Sequence, residues 1–285
     1  MANQRSHPAG SEERSFCSRP HPPGQRSRAN LCEPVSWHTM YHHYPEGRFS
    51  LPAIAGKQQA PMDWQAFWLT IRLAVLVAAV LAVLGLPVAY WIAYSRWRWK
   101  FLAEALVALP IVLPPTVLGF YVLVALGSRS PFGRWWQALT GHTLAFTFAG
   151  LVIGSIVYSL PFAVQPFAAS FAAVDVRLIA ASSTLGASKP RTFFRVILPL
   201  SVPGVVTGVA LSFAHTMGEF GVVLMVGGNI PGVTRTVSID IYDQTQALNY
   251  SAANQTALLL LAISFLVLAG VYALNRKVWV GWTWK

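Results

Sequence analysis

Two ionisable side chains, His215 and Glu219, lie one helical turn apart in an otherwise apolar stretch of this sequence. An ionisable group in such a stretch is costly to bury, so it normally faces a cavity or a polar partner. A carboxylate at such a place can organise a gate, which makes Glu219 a candidate gate residue of a pathway. The open alternative is a carboxylate that stabilises packed helices, for example through a hydrogen bond to His215. Gly218 and Gly221 flank Glu219 and allow the backbone to bend there.

The same stretch supplies the other candidate residues of a gate or pathway. The full set is Ser212, Thr216, Gly218, Glu219, Phe220 and Gly221. Hydroxyl groups suit a pathway because they bind an ion weakly and therefore release it. Ser and Thr hydroxyls also bond the carbonyl groups of their own helix, and this alternative remains open for both residues.

The sequence contains no pattern for enzymatic chemistry on this chain. Its Gly56-Lys57 pair lacks the spacing and the following Ser or Thr of a phosphate-binding loop. The HExxH pattern of metalloproteases and the GxSxG pattern of hydrolases are also absent. We therefore expect a protein that is not an enzyme and that holds no metal or cofactor itself.

The composition of the 285 residues is that of a membrane protein. Hydrophobic residues make up 54% of the chain and charged residues 11%, whereas about a quarter of an ordinary soluble domain is charged. So few charges cannot cover a soluble protein of this size, and the apolar content excludes a wholly disordered chain. The net charge of +11 would indicate nucleic acid only if the basic residues clustered on a soluble face.

Five apolar segments are each long enough to span a bilayer as a helix. They cover residues 67–94, 102–126, 144–167, 202–226 and 252–274. Ten basic residues after position 61 lie in loops on one predicted side, and three lie on the other. This bias predicts that the N-terminus is outside and the C-terminus is in the cytoplasm, and it leaves no basic face for nucleic acid. The expected fold class is an all-α integral membrane protein with five transmembrane helices.

Proline and glycine mark special points in these segments. Pro110, Pro114 and Pro115 are expected to interrupt the second span, and Pro161 and Pro166 are expected to end the third. The Gly-x-x-x-Gly pattern at 204–208 allows close contact between helices.

Residues 1–61 differ from the rest of the chain. They are rich in Pro, Ser, Arg and His and have no hydrophobic period, so we expect a disordered tail. Met62 stands just before the first apolar segment, and our hypothesis is that translation begins at or near it. A tail outside the membrane would also require seven basic residues to be translocated. Residues 62–285 then form the transmembrane domain.

A long loop at about 168–199, on the predicted cytoplasmic side, is expected to fold as two short helices. Residues 175–185 are good helix formers and are followed by Gly186, a natural C-cap. Ser188 and Pro190 are typical of the start of a second helix. Such an element projects from the membrane and can dock in a groove of a partner. A simple amphipathic surface helix is the alternative.

This loop resembles the cytoplasmic loop of ABC importer permeases. The motif of that family is Glu-Ala-Ala, three residues, Gly, nine residues, Ile, one residue and Leu-Pro. The residues that the resemblance assigns to coupling with an ATPase are Ala180, Ala181, Ser182, Leu185, Gly186, Ala187, Val196, Leu198 and Pro199. Ala180 stands where the family has Glu, so this chain offers no salt bridge at that position.

A second match follows the candidate gate. The segment 218–221, Gly-Glu-Phe-Gly, is followed by Asn-Ile-Pro-Gly at 229–232 and by Thr-Arg-Thr at 234–236. This order resembles molybdate importer permeases, whereas sulfate permeases share its first two parts. The stretch 109–123 resembles the same family, and the resemblance covers residues 62–275. The outer loop motif so identified comprises Asn229, Pro231, Gly232, Thr234, Arg235 and Thr236.

The resemblance implies an ABC importer permease fold with a cytoplasmic coupling helix, acting as a homodimer. It implies molybdate as the transported ion, with tungstate, sulfate or thiosulfate as alternatives. The implied partners are ABC ATPase subunits that bind ATP and Mg²⁺, an extracytoplasmic oxyanion-binding protein and membrane lipid. The expected location is the cytoplasmic membrane of a bacterium or archaeon. A passive anion channel and a membrane anchor without transport are the open functions of another class.

Overall fold

The computed structural model describes residues 62–282, and every regular element in that range is helical. The elements are α1 Trp64–Tyr94, α2 Lys100–Val112, α3 Pro115–Leu126, α4 Pro131–Thr140, α5 Phe148–Ala172, α6 Val176–Thr184, α7 Lys189–Thr192, a π-helical turn Phe193–Ile197, α8 Leu198–Leu200, α9 Val202–Gly218, α10 Gly221–Gly227, α11 Val237–Gln246 and α12 Tyr250–Trp282. The all-α fold expected from the sequence is confirmed for this range. The predicted tail at 1–61 lies outside the described residues.

Three helices of the described range are long and apolar enough to cross a membrane, namely α1, α5 and the part Tyr250–Ala273 of α12. Two further candidates are bent pairs of helices. The axes of α2 and α3 meet at 111°, and the helical segment Lys189–Leu200 meets α9 at 75°. Residues 62–282 therefore hold three continuous candidate spans, and up to five where each bent pair counts as one.

Two consecutive prolines cause the bend between α2 and α3. A residue before proline avoids the helical region, and proline has no N–H group for a helix. Leu113 and Pro114 are accordingly extended, each with ψ 136°, and Pro115 begins α3. Pro110 lies inside α2, so the expectation that it interrupts the second span is wrong. Pro161 and Pro166 lie inside α5, so the expectation that they end the third span is also wrong. Proline is tolerated inside a spanning helix where packed neighbours stabilise the freed backbone groups.

The core of the described chain forms where α1, α5 and α9 pack together. The side chain of Phe167 on α5 is fully buried there. A Cβ atom at Gly85 of α1 would lie 3.3 Å from one edge of its ring, and one at Gly208 of α9 would lie 2.5 Å from the other edge. The two glycines therefore allow α1 and α9 to approach the same ring. The pattern at 204–208 thus serves the packing of α9 on α5.

Much apolar surface remains uncovered on the single chain. Only 6% of the apolar window of α12 is buried, compared with 39% for α1 and 44% for α5. On α2 and α3, the side chains of Leu106, Val112 and Tyr121 are also exposed. A surface of this kind fits contact with lipid or with a second polypeptide chain.

We predict that Gly208→Ala destabilises the protein, because the added methyl group would lie 2.5 Å from the Phe167 ring and 2.8 Å from the Ala163 carbonyl oxygen. Overpacking of this kind costs about 1–3 kcal/mol. The measurement is the unfolding temperature of the full chain purified in detergent. Gly270→Ala on α12 is the matched control, since nothing lies within 4 Å of its added methyl group. A Gly208→Ala protein that unfolds no earlier than this control would contradict the packing.

Candidate functional site

The chain turns between α9 and α10 at Glu219, the candidate gate carboxylate. Its backbone is extended, with φ −71° and ψ 133°, and the residue is only 5% exposed. Its two carboxylate oxygens accept hydrogen bonds from the backbone N–H groups of Val222, at 2.8 Å, and Val223, at 2.9 Å. N–H groups in the first turn of a helix have no partner within that helix. Glu219 therefore stabilises the start of α10 directly after α9 has ended.

The break before α10 lies against the break before α3. A Cβ atom at Gly221 would lie 2.5 Å from Cβ of Pro115, and one at Gly119 would lie 2.8 Å from Cβ of Met225. Real Cβ atoms essentially never come closer than 3.0 Å to such a neighbour, so both approaches require glycine. Two interruptions that are about a hundred residues apart in the sequence thus meet at one point.

A cavity of about 560 Å³ lies at this meeting point. Its wall is mostly apolar, and its polar side chains are those of Thr116, Tyr158, His215 and Glu219. Four of the six candidate gate or pathway residues line the cavity, namely Gly218, Glu219, Phe220 and Gly221. The structure therefore brings most of the predicted set to one place.

The other two candidates, Ser212 and Thr216, are buried in a chain of hydrogen bonds between α5 and α9. The Thr216 hydroxyl donates to the Ser212 carbonyl at 2.8 Å. Ser159 Oγ lies 3.0 Å from Thr216 Oγ1 and 3.0 Å from His215 Nδ1. Because Thr216 has one hydroxyl hydrogen, Ser159 donates to Thr216 and the His215 Nδ1–H donates to Ser159. The Nε2 atom of a neutral His215 then carries no hydrogen.

The ring of His215 contacts two aromatic residues. It stacks on Phe162 with centroids 3.9 Å apart and lies 4.8 Å from the Tyr158 ring. The hydrogen bond between His215 and Glu219 that the sequence left open is replaced by separate partners for each residue. Sequence reasoning missed Thr116 and Tyr158. The double proline before Thr116 was a usable signal, whereas nothing local marks Tyr158.

The loop after α10 carries the predicted outer motif and forms a polar cluster. Arg235 Nε donates to Asn229 Oδ1 at 2.7 Å, and Arg235 Nη2 lies 3.4 Å from Asp243 Oδ2. Asn229 Nδ2 donates to the same Asp243 oxygen at 2.6 Å. The positive charge of the motif is therefore paired within the chain.

Two further residues of the motif shape the loop. Thr234 donates its hydroxyl to the Gly227 carbonyl at 2.7 Å and accepts from the Ile230 N–H at 3.1 Å. Gly232 has φ +74°, a conformation that favours glycine, and both it and Pro231 are exposed. The hydrogen bonds of the buried Thr234 thus close a loop whose tip, at Pro231 and Gly232, is exposed.

The loop ends at Thr236, where α11 begins. The Val237 N–H donates to Thr70 Oγ1 of α1 at 2.9 Å, which ties α11 to α1. Thr236 is buried, and its hydroxyl has no hydrogen-bond partner within residues 62–282. Burial raises the pKa of the Asp240 carboxyl on α11, and the charge of Asp63 raises it further. That carboxyl therefore keeps its proton to a higher pH than a solvated aspartate.

The loop that resembles a coupling loop has the two-helix form expected from the sequence. Asp175 accepts a hydrogen bond from the Arg177 N–H at 2.8 Å and so caps α6. Gly186 has φ +78° and turns the chain toward α7. Ser182 Oγ lies 2.9 Å from Thr192 Oγ1, and this hydrogen bond joins the two helices. The π-helical turn Phe193–Ile197 that follows was not foreseen.

Most residues that match the coupling motif are accessible on this hairpin. The exposed ones are Ala180, Ala181, Leu185, Gly186 and Pro199. The half-buried ones are Ser182, Ala187, Val196 and Leu198. Leu185 is 88% exposed beside the turn, which is unusual for a large apolar side chain and suits an anchor for a partner. Across the described part of the chain, no three His, Cys, Asp or Glu side chains are grouped to hold a metal ion.

Comparison with known proteins gives consistent matches over most of the chain. The molybdenum transport system permease protein ModB of Azotobacter vinelandii is 50% identical over 214 residues, which are 75% of this chain and 95% of that protein. The sulfate transport system permease protein CysT of Escherichia coli (strain K12) is 32% identical over 233 residues, which are 77% and 84% of the two chains.

The inward-facing methionine ABC transporter MetNI, a solved structure, superposes with a TM-score of 0.62 over 76% of this chain and 96% of its own, at 19% identity. This likeness shows a shared fold. Residues 82–280 match the family of binding-protein-dependent transport system inner membrane components. The resemblance to ABC importer permeases of the molybdate family is thereby confirmed. The chain belongs to the family of binding-protein-dependent transport system inner membrane components.

Proposed function

We propose that this permease subunit carries molybdate through a bacterial cytoplasmic membrane, as one half of a homodimer driven by ATP. The observation that carries the proposal is the cavity where the break before α3 meets the break before α10. Interrupted helices around a cavity are a common construction for a substrate path in membrane proteins. The four polar side chains in its apolar wall suit a path with few strong contacts.

Molybdate is the ion that the relatives favour, since identity is 50% to a molybdenum permease and 32% to a sulfate permease. The hydroxyl groups of Thr116 and Tyr158 offer hydrogen bonds to an oxyanion in the cavity. No Lys or Arg of the described residues lines the cavity, so a dianion is not trapped there. Tungstate is the second candidate, and sulfate or thiosulfate is the third.

The charge of the ion explains the need for ATP. Moving a negative charge into a cell with a negative interior costs about 2.3 kcal/mol per charge per 100 mV of membrane potential. For a dianion at 100 mV this free-energy cost is about 4.6 kcal/mol. This chain has no phosphate-binding loop. We therefore assign ATP and Mg²⁺ to separate ATPase subunits. These subunits would dock on the coupling hairpin, which consists of α6 and α7 joined at Gly186.

A second copy of the chain would complete the path. The cavity opens on one side of the single chain, and the neighbouring helices α2 and α3 expose apolar side chains such as Val112 and Tyr121. A homodimer would bury such a surface and enclose the cavity between two subunits. The topology that fits this arrangement counts each bent pair as one span, with the N-terminus outside and the C-terminus inside. The outer loop around Arg235 would then face an extracytoplasmic oxyanion-binding protein.

Uptake of labelled molybdate into vesicles that contain the permease, its ATPase and its binding protein tests the proposal. We expect uptake that requires ATP and that unlabelled molybdate suppresses better than sulfate does. Flux without ATP would favour a passive channel, and no flux under any condition would favour a membrane anchor. Stronger competition by tungstate or sulfate would reassign the ion.

Gly186→Leu is expected to separate ATP hydrolysis from uptake. A leucine at φ +78° is strained by about 1–2 kcal/mol, so the turn of the hairpin shifts and its docking surface is lost. The measurement is the ratio of molybdate taken up to ATP hydrolysed.

Gly141→Leu is the matched control for this change. Gly141 has φ +80° and, like Gly186, nothing within 4 Å of an added Cβ, but it follows α4, away from the coupling hairpin. Its ratio should stay near that of the parent protein. A normal ratio in Gly186→Leu would refute the assignment of the coupling loop.

Glu219→Gln is expected to loosen the gate. A glutamine keeps one acceptor oxygen but turns an NH₂ group toward a backbone N–H of Val222 or Val223, which leaves that buried donor unsatisfied at about 1–3 kcal/mol. Basal ATPase activity should rise and uptake per ATP should fall. Glu104→Gln, which changes an exposed glutamate, is the control. Unchanged activities in Glu219→Gln would leave the residue with a purely structural role.

A further inference from the structure

An apolar groove runs along the C-terminal half of α1, beside α7, the second helix of the coupling hairpin, and the π-helical turn Phe193–Ile197. Its volume is about 480 Å³, and its wall includes Val83, Pro87, Tyr90 and Phe194. The groove ends at Lys189, the first residue of α7. Val83, Pro87 and Phe194 are exposed, so the groove is open to the surroundings of the chain.

A second, more polar cavity of about 550 Å³ continues from the same end. It shares Tyr90 and Lys189 with the groove, and its wall also includes Ser95, Arg96 and Ser183. One end of the combined space is therefore apolar, and the other carries two cationic side chains and several hydroxyl groups.

The position of this space along α1 matches the layers of a membrane. Val83 and Tyr90 are seven residues apart, which is about 10 Å along a helix at 1.5 Å per residue. Tyr90, Trp91 and Tyr94 lie near the end of α1, and such residues favour the headgroup region. The groove thus extends from that level into the apolar layer, while Arg96 lies beyond the end of the helix.

The cations of the polar cavity have no acidic partner within residues 62–282. The ion pairs of that range join Lys100 to Glu104 and Arg235 to Asp243. Both Lys189 and Arg96 are exposed. A ligand that brings a negative group to this end and an apolar chain to the other complements both cavities at once.

We infer that the two cavities together bind one anionic phospholipid, with its phosphate between Lys189 and Arg96 and one acyl chain along the groove past Val83. This inference takes its leaflet from the proposed topology. A zwitterionic lipid fills the groove but leaves the excess positive charge unpaired. An acidic segment of a partner protein pairs the charges but leaves the groove at Val83 and Pro87 empty. The bound lipid would join α1 to α7 and the π-helical turn that follows it.

Native mass spectrometry of the full chain with phosphatidylglycerol and phosphatidylcholine of equal chain length tests the inference. A cation near a membrane surface favours an anionic lipid by about fivefold. We expect the parent protein to retain phosphatidylglycerol in preference, and Lys189→Gln with Arg96→Gln to lose most of that preference. Equal retention of the two lipids by the parent protein would overturn the inference.

A double variant of equal charge change, Arg98→Gln with Arg177→Gln, is the matched control. Both arginines are exposed, and the proposed topology places them on the same side of the membrane as Lys189 and Arg96. Neither of them lines the two cavities. This control should keep the lipid preference. If Lys189→Gln with Arg96→Gln keeps the preference and instead loses its ATPase in co-purification, the cavity belongs to the protein partner and the lipid site is refuted.

The groove is tested separately with Val83→Trp, which fills it and should lower the retention of both lipids. Val88→Trp on the same helix lies outside the groove and should have no effect. Equal retention of lipid by the two tryptophan variants would show that the acyl chain does not lie in the groove. These measurements need neither ATP nor an oxyanion, so the lipid site and the transport proposal can fail independently.

Discussion

A helix that begins in a buried, apolar region leaves backbone N–H groups that only other protein groups can satisfy, and this constraint determines the centre of the permease. Glu219 meets it, because its two oxygens accept the N–H groups of Val222 and Val223 at the start of α10. Its charge is thus stabilised by backbone dipoles. Charge alone disfavours a carboxylate beside the proposed anion path, but the backbone that Glu219 caps gives a reason for its presence.

The capped break allows the rest of the arrangement. Once α9 has ended, α10 turns onto α3, and Gly221 permits the contact with Pro115 that brings the two breaks together. The main hydrophobic core lies elsewhere, where α1, α5 and α9 pack around Phe167. Helix α9 connects the hairpin region to the cavity. Its 17 residues span about 25 Å, from the end of the segment Lys189–Leu200 to the Glu219 turn, so on the proposed function a shift of the hairpin would reach the cavity through one element.

Local chemistry in the sequence determines much of this fold. The double proline at Pro114 and Pro115 and the glycine turn at Gly186 act through their own backbone, and both were placed correctly from the sequence. Pro161 and Pro166 follow the same local rule but lie inside α5, because packing by neighbouring helices outweighs it. Only some of the residues in the wall of the cavity could be predicted, for a similar reason. Glu219 stands out by its charge, whereas Tyr158 becomes a wall residue only through the packing of α5 against α9.

The distribution of positive charge bears on where an oxyanion is selected. The arginine of the outer loop, Arg235, is paired with Asp243, and the wall of the cavity offers hydroxyl groups and a carboxylate. The cations Lys189 and Arg96 are exposed, and on the proposed topology they lie on the cytoplasmic side. On the proposed path, a dianion therefore meets neutral donors that discriminate weakly between tetrahedral oxyanions. Because neutral hydroxyl groups cannot distinguish ions of equal charge and shape by electrostatics, selection between them would fall, on the proposed function, to a protein that binds the ion before it reaches this chain.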